Sequence, residues 1–109
     1  MLSLSSYLLL GLAIVSEIAA TSALKASHGM SRALPAIIVV CGYGVAFYLL
    51  ALTLRTLPVG YVYALWSGLG VIGVALAGVL LYGEAFSLMK AGGMALIMAG
   101  VIVLNFHHG

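Results

Sequence analysis

Apolar residues fall into four long runs, and only short polar clusters interrupt them. The first run spans about residues 4–24 and ends near Lys25. The segment Ala26-Ser27-His28-Gly29-Met30-Ser31-Arg32 carries the first turn signals. A second run covers about 33–54, with Pro35 in its first turn, where a missing N–H does no harm. Arg55-Thr56-Leu57-Pro58 is a very short link, which predicts that the second and third runs are antiparallel neighbours. The third run covers about 58–82, Gly83-Glu84 forms the next loop, and the fourth covers about 87–105. These runs are continuous rather than alternating, which argues against a β-barrel. A membrane-spanning helix needs about 20 apolar residues, so four account for about 80 and a fifth would leave no connections. The pattern predicts an all-α integral membrane protein, with residues 1–109 forming a single domain of four transmembrane helices.

Composition sharpens this reading. Of 109 residues, 65% are hydrophobic and 6% are charged, too few to cover a water-facing surface, where about 25% is usual. The net charge of +2 is small and scattered, unlike the basic stripe of a nucleic-acid binder. Disorder requires low hydrophobicity and many charges. Glu17 interrupts the first run and the N-terminus lacks a basic start, so no cleavable signal peptide is expected. The single cysteine, Cys41, lies in an apolar run and reads as a small buried hydrophobe. His107 and His108 have no further ligands nearby in sequence, so neither a metal nor another cofactor is expected. Loops one and three carry Lys25, Arg32 and Lys90 against Arg55 on the other side, a weak orientation bias compatible with insertion both ways round.

Five of the six charges sit at span ends or in loops; Glu17 alone lies mid-span. An acid at a helix centre costs about 2.5–3.5 kcal/mol on insertion scales, and such residues mark functional sites. The plainer reading is a protonated Glu that only bonds a neighbouring helix. Without water, one carboxyl can hold either a proton or a cation, but not both strongly. That competition is the minimal basis for exchanging protons against organic cations. Ala13 and Thr21, four residues either side, share the face of Glu17, with Ala20 beside them. These are small residues, leaving room for a bulky ligand.

Aromatic residues supply the other half of a cation site. Tyr43, Phe47 and Tyr48 lie in the second span; Tyr63 and Trp66, three apart, lie in the third, with Ser67 four from Tyr63. A desolvated ring attracts a cation by about 2 kcal/mol or more. The plainer reading is that membrane aromatics face lipid or the interface, but Tyr63 and Trp66 are mid-span. Gly68, Gly70 and Gly73 concentrate in the third span, where small residues permit close packing and bending. Gly93 and Gly100 are seven apart, on one helix face suited to association. Four thin helices enclose little volume and offer one mid-span acid, so a dimer pairing two Glu17 around one cavity is expected.

These residues resemble the small multidrug resistance transporters, and within them the quaternary-ammonium branch. The resemblance covers nearly the whole chain. It rests on Ser16-Glu17-Ile18, Leu24-Lys25, Gly29-Met30-Ser31-Arg32-Ala33-Leu34-Pro35, Pro58-Val59-Gly60 and the Gly93 to Gly100 repeat. The run Tyr63-Ala64-Leu65-Trp66-Ser67-Gly68-Leu69-Gly70 is the most specific element. The resemblance implies an antiparallel homodimer that exports lipophilic or quaternary cations in exchange for protons from a bacterial inner membrane. It implies that Glu17 binds proton and substrate in turn. Trp66, Tyr63, Tyr43, Phe47, Ala13, Thr21 and Ser67 would contribute to the substrate site. Gly68 and Gly70 would be the hinge, and the fourth span, with Gly93 and Gly100, the dimer contact. Some members of the family work only as pairs of different subunits.

A sister branch exports guanidinium-type ions. It usually carries Trp where this chain has Ala20, and Trp-Thr-Gly where this chain has Trp66-Ser67-Gly68. Departures from the quaternary-ammonium pattern are Tyr48 for Trp, Ser16 for Ala and Val62 for Ala; they bear on substrate range. Alternative readings are a guanidinium or small polar-cation exporter, or a structural proteolipid subunit whose acid carries protons only. Nucleophile–base pairs, metal clusters and phosphate loops are not evident, so enzyme chemistry is not expected.

Overall fold

A computed structural model describes residues 4–107, except for the side chains of Asn105 and His107. His108, named above with His107, lies outside the described residues. Four helices follow one another: α1 (Leu4–Ala26), α2 (Ala33–Thr53), α3 (Val59–Tyr82) and α4 (Leu88–His107). Among the described residues there is no strand. At 1.5 Å per residue the helices are about 30–36 Å long, which suits a hydrocarbon layer about 30 Å thick. The first three are long and apolar enough to cross a membrane; the apolar stretch of α4 is shorter, Leu88–Leu104. Large apolar side chains stand open along them, among them Leu8, Leu12, Val15, Ile37, Val40, Leu80 and Leu96. Water would penalise such a surface at about 25 cal/mol per Å²; lipid does not.

The chain divides between Leu57 and Pro58 into two compact units. In the first, α1 and α2 form an antiparallel pair. Gly42 lies against Ala20, Tyr43 meets Thr21, and Ser6 meets Thr56. The residue numbers of each pair sum to nearly the same value, as an antiparallel register requires. The buried residues of α1, including Ser6, Leu10, Ala13 and Ala20, recur at three- and four-residue steps and so share a face. On α2, Val39, Ala46 and Thr53 recur every seven.

Both ends of this pair are tied by hydroxyls. Buried Ser27 donates its Oγ hydrogen to the Leu24 carbonyl (2.6 Å) and accepts from the Met30 N–H (3.0 Å). Its carbonyl accepts from the Ser31 and Arg32 N–H groups. The turn they close runs through three successive left-handed residues, His28, Gly29 and Met30. Non-glycine residues in that conformation cost about 1–2 kcal/mol each, and the bonds to Ser27 offset this. At the other end Ser6 Oγ and Thr56 Oγ1 lie 2.6 Å apart, and Thr53 Oγ1 donates to the Leu49 carbonyl.

In the second unit α3 and α4 are antiparallel. A Cβ at Gly68 would lie 2.9 Å from Val101 Cγ2 and 3.2 Å from Ile97 Cγ2, so these side chains occupy the space a larger residue would need. Left-handed Gly83 ends α3, and the Gly83 and Glu84 N–H groups both bond the Gly78 carbonyl. The Glu84 carboxyl folds back over Gly78, where a Cβ would collide with it. Ser87 Oγ accepts the Lys90 N–H and caps α4, while Lys90 Nζ donates to the Ala85 carbonyl.

Candidate functional site

Glu17 sits in the interior of α1, half-buried. Thr21, one turn further along, donates its hydroxyl hydrogen to Glu17 Oε2 at 2.5 Å. Thr21 Oγ1 also lies 2.5 Å from Tyr43 Oη on α2. A hydroxyl has one hydrogen. Thr21 spends it on the carboxyl, so Tyr43 is the donor in the second bond. The result is a directed chain, Tyr43 O–H to Thr21 Oγ1 to Glu17 Oε2. This arrangement stabilises a negative carboxyl, since hydrogen bonds to a charged acceptor are worth about 1.5–3 kcal/mol. It leaves the other carboxyl oxygen for a further partner.

Phe47, one turn along α2 from Tyr43, extends this polar chain with an apolar surface. Their ring centroids are 6.3 Å apart, and Phe47 is 51% exposed. Ala13 is fully buried on α1. The first unit therefore brings together Glu17, Thr21, Tyr43 and Phe47: one acid, two hydroxyls and an open ring.

The second unit groups the other predicted residues. Tyr63 and Trp66 meet edge to face, with centroids 6.1 Å apart. Tyr63 is 63% exposed; Trp66 and Ser67 are half-buried. Such an edge-to-face pair holds each ring in a defined orientation and presents aromatic surface suited to a cation. The helix α3 runs unbroken through Gly68 and Gly70. Gly68 seats the side chains of α4, and Gly70 is buried. On α4, Ala91, Met94, Ile97 and Val101 form the partly covered stripe. Gly93 and Gly100 lie off it, with open space where their Cβ atoms would be. No group of three metal-binding side chains occurs among the described residues.

Gly42 was not singled out from the sequence. It precedes Tyr43 and abuts Ala20 and Ser16. Small residues four apart on α1, facing a glycine on α2, are the signal that points to it.

Residues 5–97 match the family model described as Small Multidrug Resistance protein. The chain belongs to the small multidrug resistance family. It is a multi-pass membrane protein, and its relatives are resistance and export proteins rather than enzymes. The quaternary ammonium compound-resistance protein QacF of Klebsiella aerogenes is 45% identical over 94% of this chain and 93% of its own length. Multidrug transporter PA4990 of Pseudomonas aeruginosa is 48% identical over the same shares. The nicotine metabolites export pump subunit NepA of Paenarthrobacter nicotinovorans is 46% identical over 98% of this chain and 92% of its own length. Membership of the small multidrug resistance family gives the arrangement around Glu17 its chemical context.

Proposed function

We propose that this protein exports lipophilic and quaternary ammonium cations in exchange for protons. The observation that carries the reading is the chain Tyr43–Thr21–Glu17: a half-buried acid on an apolar helix, held by hydroxyl groups, beside an open aromatic ring. A bare carboxylate at lipid depth is expensive. It is relieved by a proton or by an organic cation. Neither is needed while the other is present, so the two compete, and one gradient drives the other. Hydroxyl donors lower the cost of the moment between them.

The names of the relatives support the substrate class: a quaternary ammonium resistance protein and a multidrug transporter. In this reading Tyr63 and Trp66 supply further aromatic surface to the cation, with Ser67 on the same helix, and Ala13 keeps the face of α1 slim. Two copies associate antiparallel through the open α4 face at Gly93 and Gly100, placing two Glu17 residues in one site. Gly68 and Gly70 allow α3 to bend as access alternates. The bacterial inner membrane is the compartment that supplies the proton gradient. One relative is named as a pump subunit, which favours a second arrangement, pairing with a different but related chain.

The test is transport by purified protein in liposomes. An inward-directed proton gradient drives tetraphenylphosphonium movement with the wild type and not with Glu17→Gln. Proton-driven transport that persists in Glu17→Gln overturns the reading. Comparing guanidinium with tetraphenylphosphonium binding separates this substrate class from the small polar cations. Cation-independent proton passage, with no organic cation bound, would point to the proteolipid alternative.

A further inference from the structure

Tyr43, which reaches Thr21, follows a glycine that packs directly on α1. A Cβ built on Gly42 would stand 2.8 Å from Ala20 Cβ and 3.3 Å from both Ala20 Cα and the Ser16 carbonyl oxygen. None of these atoms ends a flexible side chain. Two are backbone, and an alanine methyl has no rotamer to swing away. Any side chain at 42 must therefore be relieved by moving main chain against main chain. Gly44, two residues further on, meets open space, so the restriction is local to Gly42.

The pair Gly42–Ala20 adjoins the pair Tyr43–Thr21, one residue along both helices. A displacement at the first is passed to the second with almost no lever arm to absorb it. The hydroxyl oxygens of the second pair are 2.5 Å apart. An opening of about 1 Å would take them beyond useful hydrogen-bond distance.

We propose that Gly42 is a positioning residue for the cation site. Its missing side chain sets the α1–α2 spacing at which Tyr43 closes onto Thr21 and Glu17. The inference rests on the reading of Glu17 as the cation and proton site. A glycine that served packing alone would change stability when substituted and leave the affinity of the folded protein intact.

The test uses the full chain in lipid nanodiscs and moves a methyl across the contact. Wild type, Gly42→Ala, Ala20→Gly and the double variant are compared. One readout is tetraphenylphosphonium affinity. The other is the Tyr43 ring Cζ carbon-13 shift, assigned with Tyr43→Phe, which reports the hydroxyl's hydrogen bond without any substrate. Gly42→Ala is expected to weaken affinity about 5–10-fold, as for one lost hydrogen bond, and to move the Tyr43 signal. Adding Ala20→Gly is expected to recover most of both. If Gly42→Ala does not fold, the double variant is decisive alone: wild-type affinity and Tyr43 signal support the proposal. Wild-type values in Gly42→Ala, or losses in folded protein that Ala20→Gly does not reverse, would overturn it. Failure of the wild type to bind the probe would instead count against the site reading, with the Tyr43 signal still deciding the role of Gly42.

Discussion

The two helical pairs are built on different principles. The α1–α2 pair is held by specific polar contacts: Ser27 at one end, Ser6 with Thr56 at the other, and Glu17, Thr21 and Tyr43 between. Gly42 packs on the methyl and backbone of Ala20 and the Ser16 carbonyl, with no flexible side chain between to take up a change. The α3–α4 pair meets through side chains instead, with Ile97 and Val101 resting on Gly68. Most of α4 is open. In lipid no hydrophobic force drives helices together; packing and hydrogen bonds do. The pair with polar contacts can therefore fix its geometry within itself. The apolar pair, with an open glycine-marked face, has surface to give to another copy. In the proposed function, chemistry that depends on tenths of an ångström falls to the first pair, and association and bending fall to the second.

The largest effect is expected at the acid. Glu17→Gln removes the charge that faces the cation and should cost about 100-fold or more in tetraphenylphosphonium affinity, nearly 3 kcal/mol. Titration calorimetry of the two proteins at pH 8 measures it. Trp66→Ala comes next: losing a desolvated cation–π contact of about 2 kcal/mol should weaken the same binding about 30-fold. An unchanged affinity there would confine the cation to the first pair. Tyr43→Phe removes only the terminal donor of the hydroxyl chain, and about 1 kcal/mol predicts a loss of roughly fivefold. The smallest effect on binding is expected from Gly68→Ala. Its methyl presses on Ile97 and Val101, so it should destabilise the second pair by about 1–3 kcal/mol while leaving cation affinity within about twofold. Thermal unfolding in detergent alongside binding checks both halves. A Gly68→Ala variant that lost affinity as strongly as Tyr43→Phe would erase the distinction between the pairs.

Much of this fold was legible in the sequence, for simple reasons. Four apolar runs separated by short polar links leave little choice but four helices. Glu17 stood out because five other charges sit at helix ends or in loops. Thr21 was placed on the face of Glu17 by its four-residue spacing alone, and in the structure its hydroxyl bonds that carboxyl. Other features were hidden because they depend on two helices at once. Nothing in the local pattern distinguishes Gly42, which meets Ala20, from Gly44, which meets open space. The Arg55-Thr56-Leu57-Pro58 link reads like the other short polar breaks between the runs, so nothing local shows that the two units divide there. Gly68 read as a point of flexibility, yet in the structure it also seats α4, a role that needs the partner helix to be seen.

The account stands on proton and organic cation sharing Glu17. It is tested most directly by counting protons released when saturating tetraphenylphosphonium is added to weakly buffered protein in detergent across a pH series. Release is expected from the wild type and is expected to be absent in Glu17→Gln. Saturable binding with no proton release at any pH would contradict it.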